Sequence, residues 1–353
     1  MKQKLIQPIH IYILLMLSSG FMVHVLVLPN ILITAKRDAW ISVLLGILPL
    51  GIMVIITYYL TKALKDNSLV EFLQKKYPPI IFKFLSIIFA FFLISEAFVT
   101  LKYTVIWTKA TYALDVPNFV IIVSFTIICY YASMKGIRVI GIIGALILPL
   151  VVILGFAVGL GNIPHKDYTL LFPVFEKGFK PVIHGVLYVC TGVFEIILIL
   201  FLKQFTKGAM TYKGISFISF ILIGLTLGPL SAAIAEFGSV EAAKLSSPAY
   251  EEWRILSLGR FINHVDFFSI FQWFSGAFIR VSLFLFLANE LLFYRRKKIM
   301  LSLWYVLLIG VACINWSSLS FYHFMQQFYF PFTFIFLIGY TFISVLLVKI
   351  KSR

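Results

Sequence analysis

Charge is what this chain has least of. Asp and Glu together number 14 in 353 positions, Lys and Arg 30, and the four types make up 12% of the sequence, about half of what a water-soluble domain carries. With 61% hydrophobic residues and a mean hydropathy of +1.01, that scarcity excludes a soluble globular enzyme. Cysteine is almost absent: Cys129, Cys190 and Cys313 are an odd number lying in apolar runs without metal-ligand spacing, so neither disulfides nor a zinc site is expected. A paired nucleophile and base, HExxH, a P-loop and a phosphate-cradling glycine turn are all missing. No enzyme activity and no cofactor is expected.

What is present is long apolar sequence rich in Phe (37), Tyr (17) and Trp (6). A membrane-crossing helix needs about 20 apolar residues, and cutting the chain at charges, Pro and Gly gives ten such segments. They cover roughly 10–34, 40–62, 80–113, 118–134, 137–160, 181–206, 212–236, 262–288, 299–317 and 327–349. The first, from Ile9 to Thr34, is much longer than a signal-peptide core and lacks a small-residue cleavage site, so it is expected to remain as a span. The expected fold is an all-α polytopic membrane protein, a single transmembrane domain over 1–353.

The net charge of +16 does not point to nucleic acid, because the basic residues form no stripe on a polar domain. They sit in short loops, where they set topology. One side of a ten-span arrangement, the side of both termini, holds 19 of them, from Lys2 and Lys4 through Lys62, Lys203 and the Arg295–Lys298 cluster to Lys351 and Arg353. The other side holds 8: Lys36, Arg37, Lys166, Lys177, Lys180, Lys244, Arg254 and Arg260. The asymmetry places both termini in the cytoplasm. The Arg295–Lys298 cluster reads as a stop-transfer signal, with attraction to anionic lipid as a second role.

The two halves match in outline. Ser18, Ser19 and Gly20 interrupt the first span, and Thr191 and Gly192 the sixth, with a long polar connection after the second and after the seventh. Five spans per half is odd, which makes the repeats inverted: about 10–160 and 181–349, the LeuT-like plan with broken helices one and six and a ligand site near mid-membrane. Small residues that merely serve helix packing are the plainer alternative. Broken helices leave backbone groups for a polar ligand to satisfy, so Ser18, Ser19, Gly20, Cys190, Thr191 and Gly192 are the first candidates to line a cavity. His24 and His184 are weaker candidates, and Tyr103, Thr104 and Tyr188 suit either a cavity or the interfacial aromatic belt.

Charges inside spans each cost roughly 2.5–3.5 kcal/mol at a helix centre and need a reason. Lys109 lies near a span end and is expected to snorkel, and Lys102 is intermediate. Glu96, Glu195 and Arg280 lie too deep for that. Glu195 and Arg280 stand about 21–24 Å below the outer surface on their spans, a matched depth at which they can pair. The pair either fixes helix packing or forms the polar floor of a ligand cavity.

The stretch Ser247-Pro248-Ala249-Tyr250-Glu251-Glu252-Trp253-Arg254, followed by Phe261-Ile262 and Asp266 and then Trp273 and Arg280-Val281-Ser282-Leu283-Phe284, resembles the B subunit of the spore germinant receptors. Phe194-Glu195-Ile196-Ile197 after its small-residue break is similar to that family's sixth helix, and Leu28-Pro29 and Tyr77-Pro78 fit less specifically. The resemblance runs over essentially the whole chain. It implies a relative of the amino acid-polyamine-organocation transporters that acts as a sensor in the inner membrane of the dormant spore. A small nutrient (amino acid, sugar or nucleoside) would bind at mid-membrane, and the signal would pass to A and C subunits. Carried over residue by residue, the pocket lies around Gly20, Thr100, Thr191, Gly192, Arg280 and Phe284. A transporter of the same fold, with Glu96 or Glu195 as its proton or cation site, is the competing expectation. Two departures accompany the resemblance: Met22, Val23 and His24 stand where relatives carry small residues, and His264 lies near the place of an expected Arg.

Overall fold

The computed structural model describes residues 5–65, 67–257, 259, 264–293 and 296–352. Lys2, Lys4, Arg260, Arg295 and Arg353 of the charge count, and Phe261 and Ile262 of the family-like stretch, lie outside the described residues. The described chain is helical, with one isolated parallel bridge between Ile6 and Thr206. In lipid every backbone donor needs an internal acceptor, and helices supply it.

The helices are α1 (Pro8–Phe21), α2 (Leu28–Ala35), α3 (Ala39–Leu45), α4 (Ile47–Ala63), α5 (Leu69–Lys76), α6 (Pro79–Thr111), α7 (Asn118–Lys135) and α8 (Ile137–Gly161) in the first half. The second half has α9 (Lys180–Val193), α10 (Ile199–Leu202), α11 (Tyr212–Ala242), α12 (Pro248–Ile255), α13 (Phe267–Leu292), α14 (Lys297–Ala312), α15 (Ser318–Phe324) and α16 (Phe330–Ser352). Proline opens α1, α6 and α12, where its missing N–H costs nothing. Ser68 and Glu71 cap the start of α5 reciprocally. Gly136, at φ 87°, lets the chain turn between α7 and α8, and Gly238, at φ 74°, breaks the helical path near the end of α11.

Among the described residues, eight helical stretches are long and apolar enough to cross a membrane: Pro8–Ala63, Pro79–Thr111, Asn118–Lys135, Ile137–Gly161, Lys180–Phe205, Tyr212–Ala242, Phe267–Leu292 and Ser318–Lys351. The chain is a multi-pass membrane protein. The first two expected spans fall in the single stretch Pro8–Ala63, and the ninth corresponds to α14, only 16 residues long. The two connections read as polar loops contain short helices, α5 and α12.

The interruptions in the first and sixth spans are present but displaced. Ser18, Ser19 and Gly20 are helical, and a wider π turn follows at Met22–Leu26. Cys190, Thr191 and Gly192 are helical too, and a tighter 3-10 stretch follows at Phe194–Leu198. The expected positions are thus corrected by a few residues. The chain changes helical pitch and keeps its backbone bonds, as an apolar surrounding demands.

The core is built from α1, α6, α9 and α13, with α13 packed along α6 and against α1. Apolar side chains such as Leu146, Phe220 and Ile80 face outward from the bundle, the reverse of a water-soluble surface and suited to lipid.

Candidate functional site

Arg280, in the middle of α13, is completely buried. Its guanidinium has five N–H donors, and each has a partner. Nη1 donates to Glu195 Oε2 at 2.7 Å and to the Ser18 carbonyl at 2.9 Å. Nη2 donates to Glu195 Oε1 at 2.6 Å and to Glu96 Oε2 at 2.5 Å. Nε donates to Thr100 Oγ1 at 3.0 Å, while that hydroxyl donates to the Glu96 carbonyl at 2.7 Å. The Phe284 ring lies 4.5 Å from the guanidinium carbon, a cation-π contact one helical turn away.

Glu96 has two further donors. Tyr329 gives its hydroxyl to Oε2 at 2.5 Å and Thr333 gives its own to Oε1 at 3.3 Å. Both come from the last span, where the sequence drew attention to no residue. Their four-residue spacing puts the two hydroxyls on one helical face, which is the signal that could have found them. The node therefore ties together α1, α6, the 3-10 stretch after α9, α13 and the last span. Two carboxylates face one guanidinium in it, which leaves one negative charge in excess if both acids are ionised.

Of the expected site residues, Ser18, Glu96, Thr100, Glu195, Arg280 and Phe284 converge here. The Ser18 hydroxyl bonds back to Leu14 O at 2.6 Å, so its carbonyl makes the contact. Ser19 and Gly20 follow on α1; the Ser19 hydroxyl is buried and has no hydrogen-bond partner in the chain. Cys190 and Thr191 are buried on α9, with the Thr191 hydroxyl donating to Tyr188 O at 2.6 Å. Gly192 meets the first span: a Cβ there would overlap Val23 Cγ1. His24 is held by Leu225 O at 3.1 Å, and His184 is exposed.

Above the node, toward the end that carries residues 112–117 and 243–257, an aromatic stack closes the bundle. Trp273 lies about two turns before Arg280 on α13. Its ring stacks on Trp107 at 4.0 Å and on Tyr103 at 5.8 Å and meets Phe21 edge-on at 5.9 Å. The Thr104 hydroxyl and the indole nitrogens of Trp107 and Trp273 are buried without partners in the chain. Tyr103 reaches outward to Ser246 O at 2.8 Å and Tyr112 to Asp266 O at 2.7 Å. Lys102 is buried, and its ammonium closes the end of α14 through Ala312 O and Ile314 O, both at 2.9 Å. Lys109 turns to the Leu114 and Val116 carbonyls at its span end, as snorkelling requires.

Comparison with known proteins adds two findings. A family model described as "Spore germination protein" matches residues 6–315. The chain is also similar to spore germination protein XB of Bacillus anthracis, 35% identical over 317 residues that cover 89% of each chain.

Proposed function

The chain belongs to the spore germination protein family, and from that premise we propose that it is the nutrient-sensing membrane subunit of a spore germinant receptor. A small nutrient, of the amino acid, sugar or nucleoside class, binds between the Arg280 node and the aromatic stack. The observation that carries this reading is the pairing of a saturated polar floor with buried polar groups above it that lack partners, Ser19, Thr104 and Trp273. A ligand resting there meets the backbone at Ser18, Gly20, Thr191 and Gly192, with Cys190, Thr100 and Phe284 beside it. Because every Arg280 donor is engaged, a ligand that takes one must displace Glu96, Glu195, Thr100 or the Ser18 carbonyl. Such an exchange between two arrangements of one guanidinium is a means of turning binding into a signal. The partners in this reading are the A and C subunits, the lipid bilayer and the nutrient; the place is the inner membrane of the spore.

The reading has ten spans. As one straight helix the 56-residue stretch Pro8–Ala63 would run about 84 Å, against a hydrocarbon core of about 30 Å. Lys36, at φ 51° and ψ −122°, ends α2, and α2 and α3 pack on each other and on α9, which supports a hairpin of two spans. With α14 as the ninth, both termini fall on one side, and the basic count favours the cytoplasm. The irregular turns after α1 and within the sixth span support the inverted repeat.

A second reading, an ion-coupled transporter of the same fold, is favoured by the excess carboxylate at Glu96 and Glu195, which offers a place for a proton or cation. Deletion of the chain in its sporulating host, with germination scored against amino acids, nucleosides and sugars, tests the sensor. Loss of response to one nutrient class with the others intact is the expected result; unchanged responses to all of them would overturn it.

A further inference from the structure

A second group of buried charges lies at the end of the molecule that carries α12, away from Arg280. Asn162 ends α8, Lys166 follows it, Glu236 lies near the end of α11 and Glu252 on α12. The four are locked together by backbone contacts. Asn162 Nδ2 donates to Glu252 O at 2.6 Å, Asp167 N to Ala235 O at 2.9 Å, and Lys166 Nζ to Gly159 O at 2.7 Å. Glu252 is 3% exposed, and the side chains of Lys166 and Glu236 are 4% and 0% exposed. Lys166 Nζ stands 3.6 Å from Glu236 Oε1, an ion pair beyond hydrogen-bond length.

Four buried oxygens here accept no close hydrogen bond within the chain, both of Glu236, Oε1 of Glu252 and Oδ1 of Asn162, with the Lys166 ammonium and the Asn162 amide as the polar neighbours of Glu236. An uncompensated buried carboxylate costs several kcal/mol, and two acids against one ammonium leave one negative charge. Acceptor-only oxygens with no thiolate or imidazole among them are the ligands of hard cations.

We propose that Glu236, Glu252 and Asn162 Oδ1 bind one small hard metal cation, of the sodium or calcium class. With two acidic ligands and an amide oxygen, affinity falls in the weak range of about 0.1–1 mM typical of extracellular sites. The cation ties α12 to the ends of α8 and α11. The same helix presses Tyr250 on Trp107 at 5.5 Å and donates from Trp253 Nε1 to Gln272 Oε1 at 2.9 Å, so the cation fastens α12 beside the aromatic stack.

The full chain, purified into nanodiscs of uncharged lipid and depleted of metal, is titrated with NaCl or CaCl2 at ionic strength held constant by choline chloride. Thermal unfolding midpoint and equilibrium binding of radioactive sodium or calcium are read. The expected result is a saturable rise in midpoint and one ion bound, with choline inert; the arm that responds identifies the charge of the ion. Glu252→Gln and Asn162→Ala should each weaken the response roughly tenfold or more, and Glu241→Gln, which alters an exposed acid near the end of α11, should not. Should Glu252→Gln fail to fold, Asn162→Ala keeps both acids and carries the test. Equal midpoints in choline and metal, or saturation unchanged by Asn162→Ala, overturn the site. So does a Glu252→Gln chain that is more stable than the parent while no metal binds either, since a proton then carries the excess charge.

Discussion

Arg280 and Glu195, 85 residues apart, are joined by two parallel hydrogen bonds, Nη1 to Oε2 at 2.7 Å and Nη2 to Oε1 at 2.6 Å, with both side chains shielded from solvent. This fork is the most constrained geometry that an arginine and a carboxylate can adopt. It holds the 3-10 stretch of the sixth span against α13 at mid-bundle, and through Glu96 it extends to α6 and the last span.

Removing Arg280 strands two carboxylates, whereas removing Glu195 leaves the guanidinium paired with Glu96. Arg280→Gln should cost about 3–5 kcal/mol and Glu195→Gln less, measured as loss of thermal stability or of folded protein in membranes. The exchange Glu195→Arg with Arg280→Glu should recover part of what either reversal loses. Strict additivity in that cycle would show that the two side chains do not act on each other.

Gly192 should tolerate no side chain while Val23 is in place. Gly192→Ala is expected to lose about 1–3 kcal/mol from overpacking, and Val23→Ala in the same chain should return most of it. A Gly192→Ala chain of normal stability that no longer responds to nutrient would assign the glycine to the ligand.

Cys313 is exposed and follows α14, whereas Cys129 and Cys190 are buried. An impermeant thiol reagent applied to intact cells should label Cys313 alone. Lys207→Cys, placed in a Cys313→Ser background, lies at the opposite end and should react only after permeabilisation. The reverse pattern would place the termini outside.

Burial first, and then the neighbouring Glu236, push the Glu252 carboxyl well above its ordinary value, which gives stability a pH dependence in metal-free choline buffer. The fold favours the neutral acid, so its contribution is full below the ordinary glutamate value of about 4.3 and is lost as pH rises through the raised value. Unfolding midpoints should therefore fall with rising pH above about 4.3, and Glu252→Gln should flatten that slope. An unchanged slope would remove Glu252 as its source.

Depth along a span is legible in a sequence, which is why Glu195 and Arg280 could be paired from position alone. Glu96 was legible as a buried charge, but its partners Tyr329 and Thr333 were not. A tyrosine near a span end reads as belt material until neighbouring helices bury it. Small residues marked the first and sixth spans correctly as irregular, yet the change of pitch falls just after them, because the backbone in lipid keeps its hydrogen bonds by shifting to wider or tighter turns. Lys166 stood out only as a loop charge and Glu252 only as part of the family-like stretch, and nothing in the sequence singled out Glu236. What buries them is α12 folding over the helix ends, and a helix of eight residues within a polar connection carries too short a pattern to reveal that.

As a receptor subunit this chain should sense a nutrient without pumping it. The most direct test is reconstitution into sealed liposomes under an imposed proton or sodium gradient, with bound and internalised nutrient counted separately for a panel of amino acids, sugars and nucleosides. The sensor reading predicts saturable binding of one class, lost in Gly20→Leu, with no accumulation above the external concentration. Gradient-driven accumulation of that nutrient would contradict it.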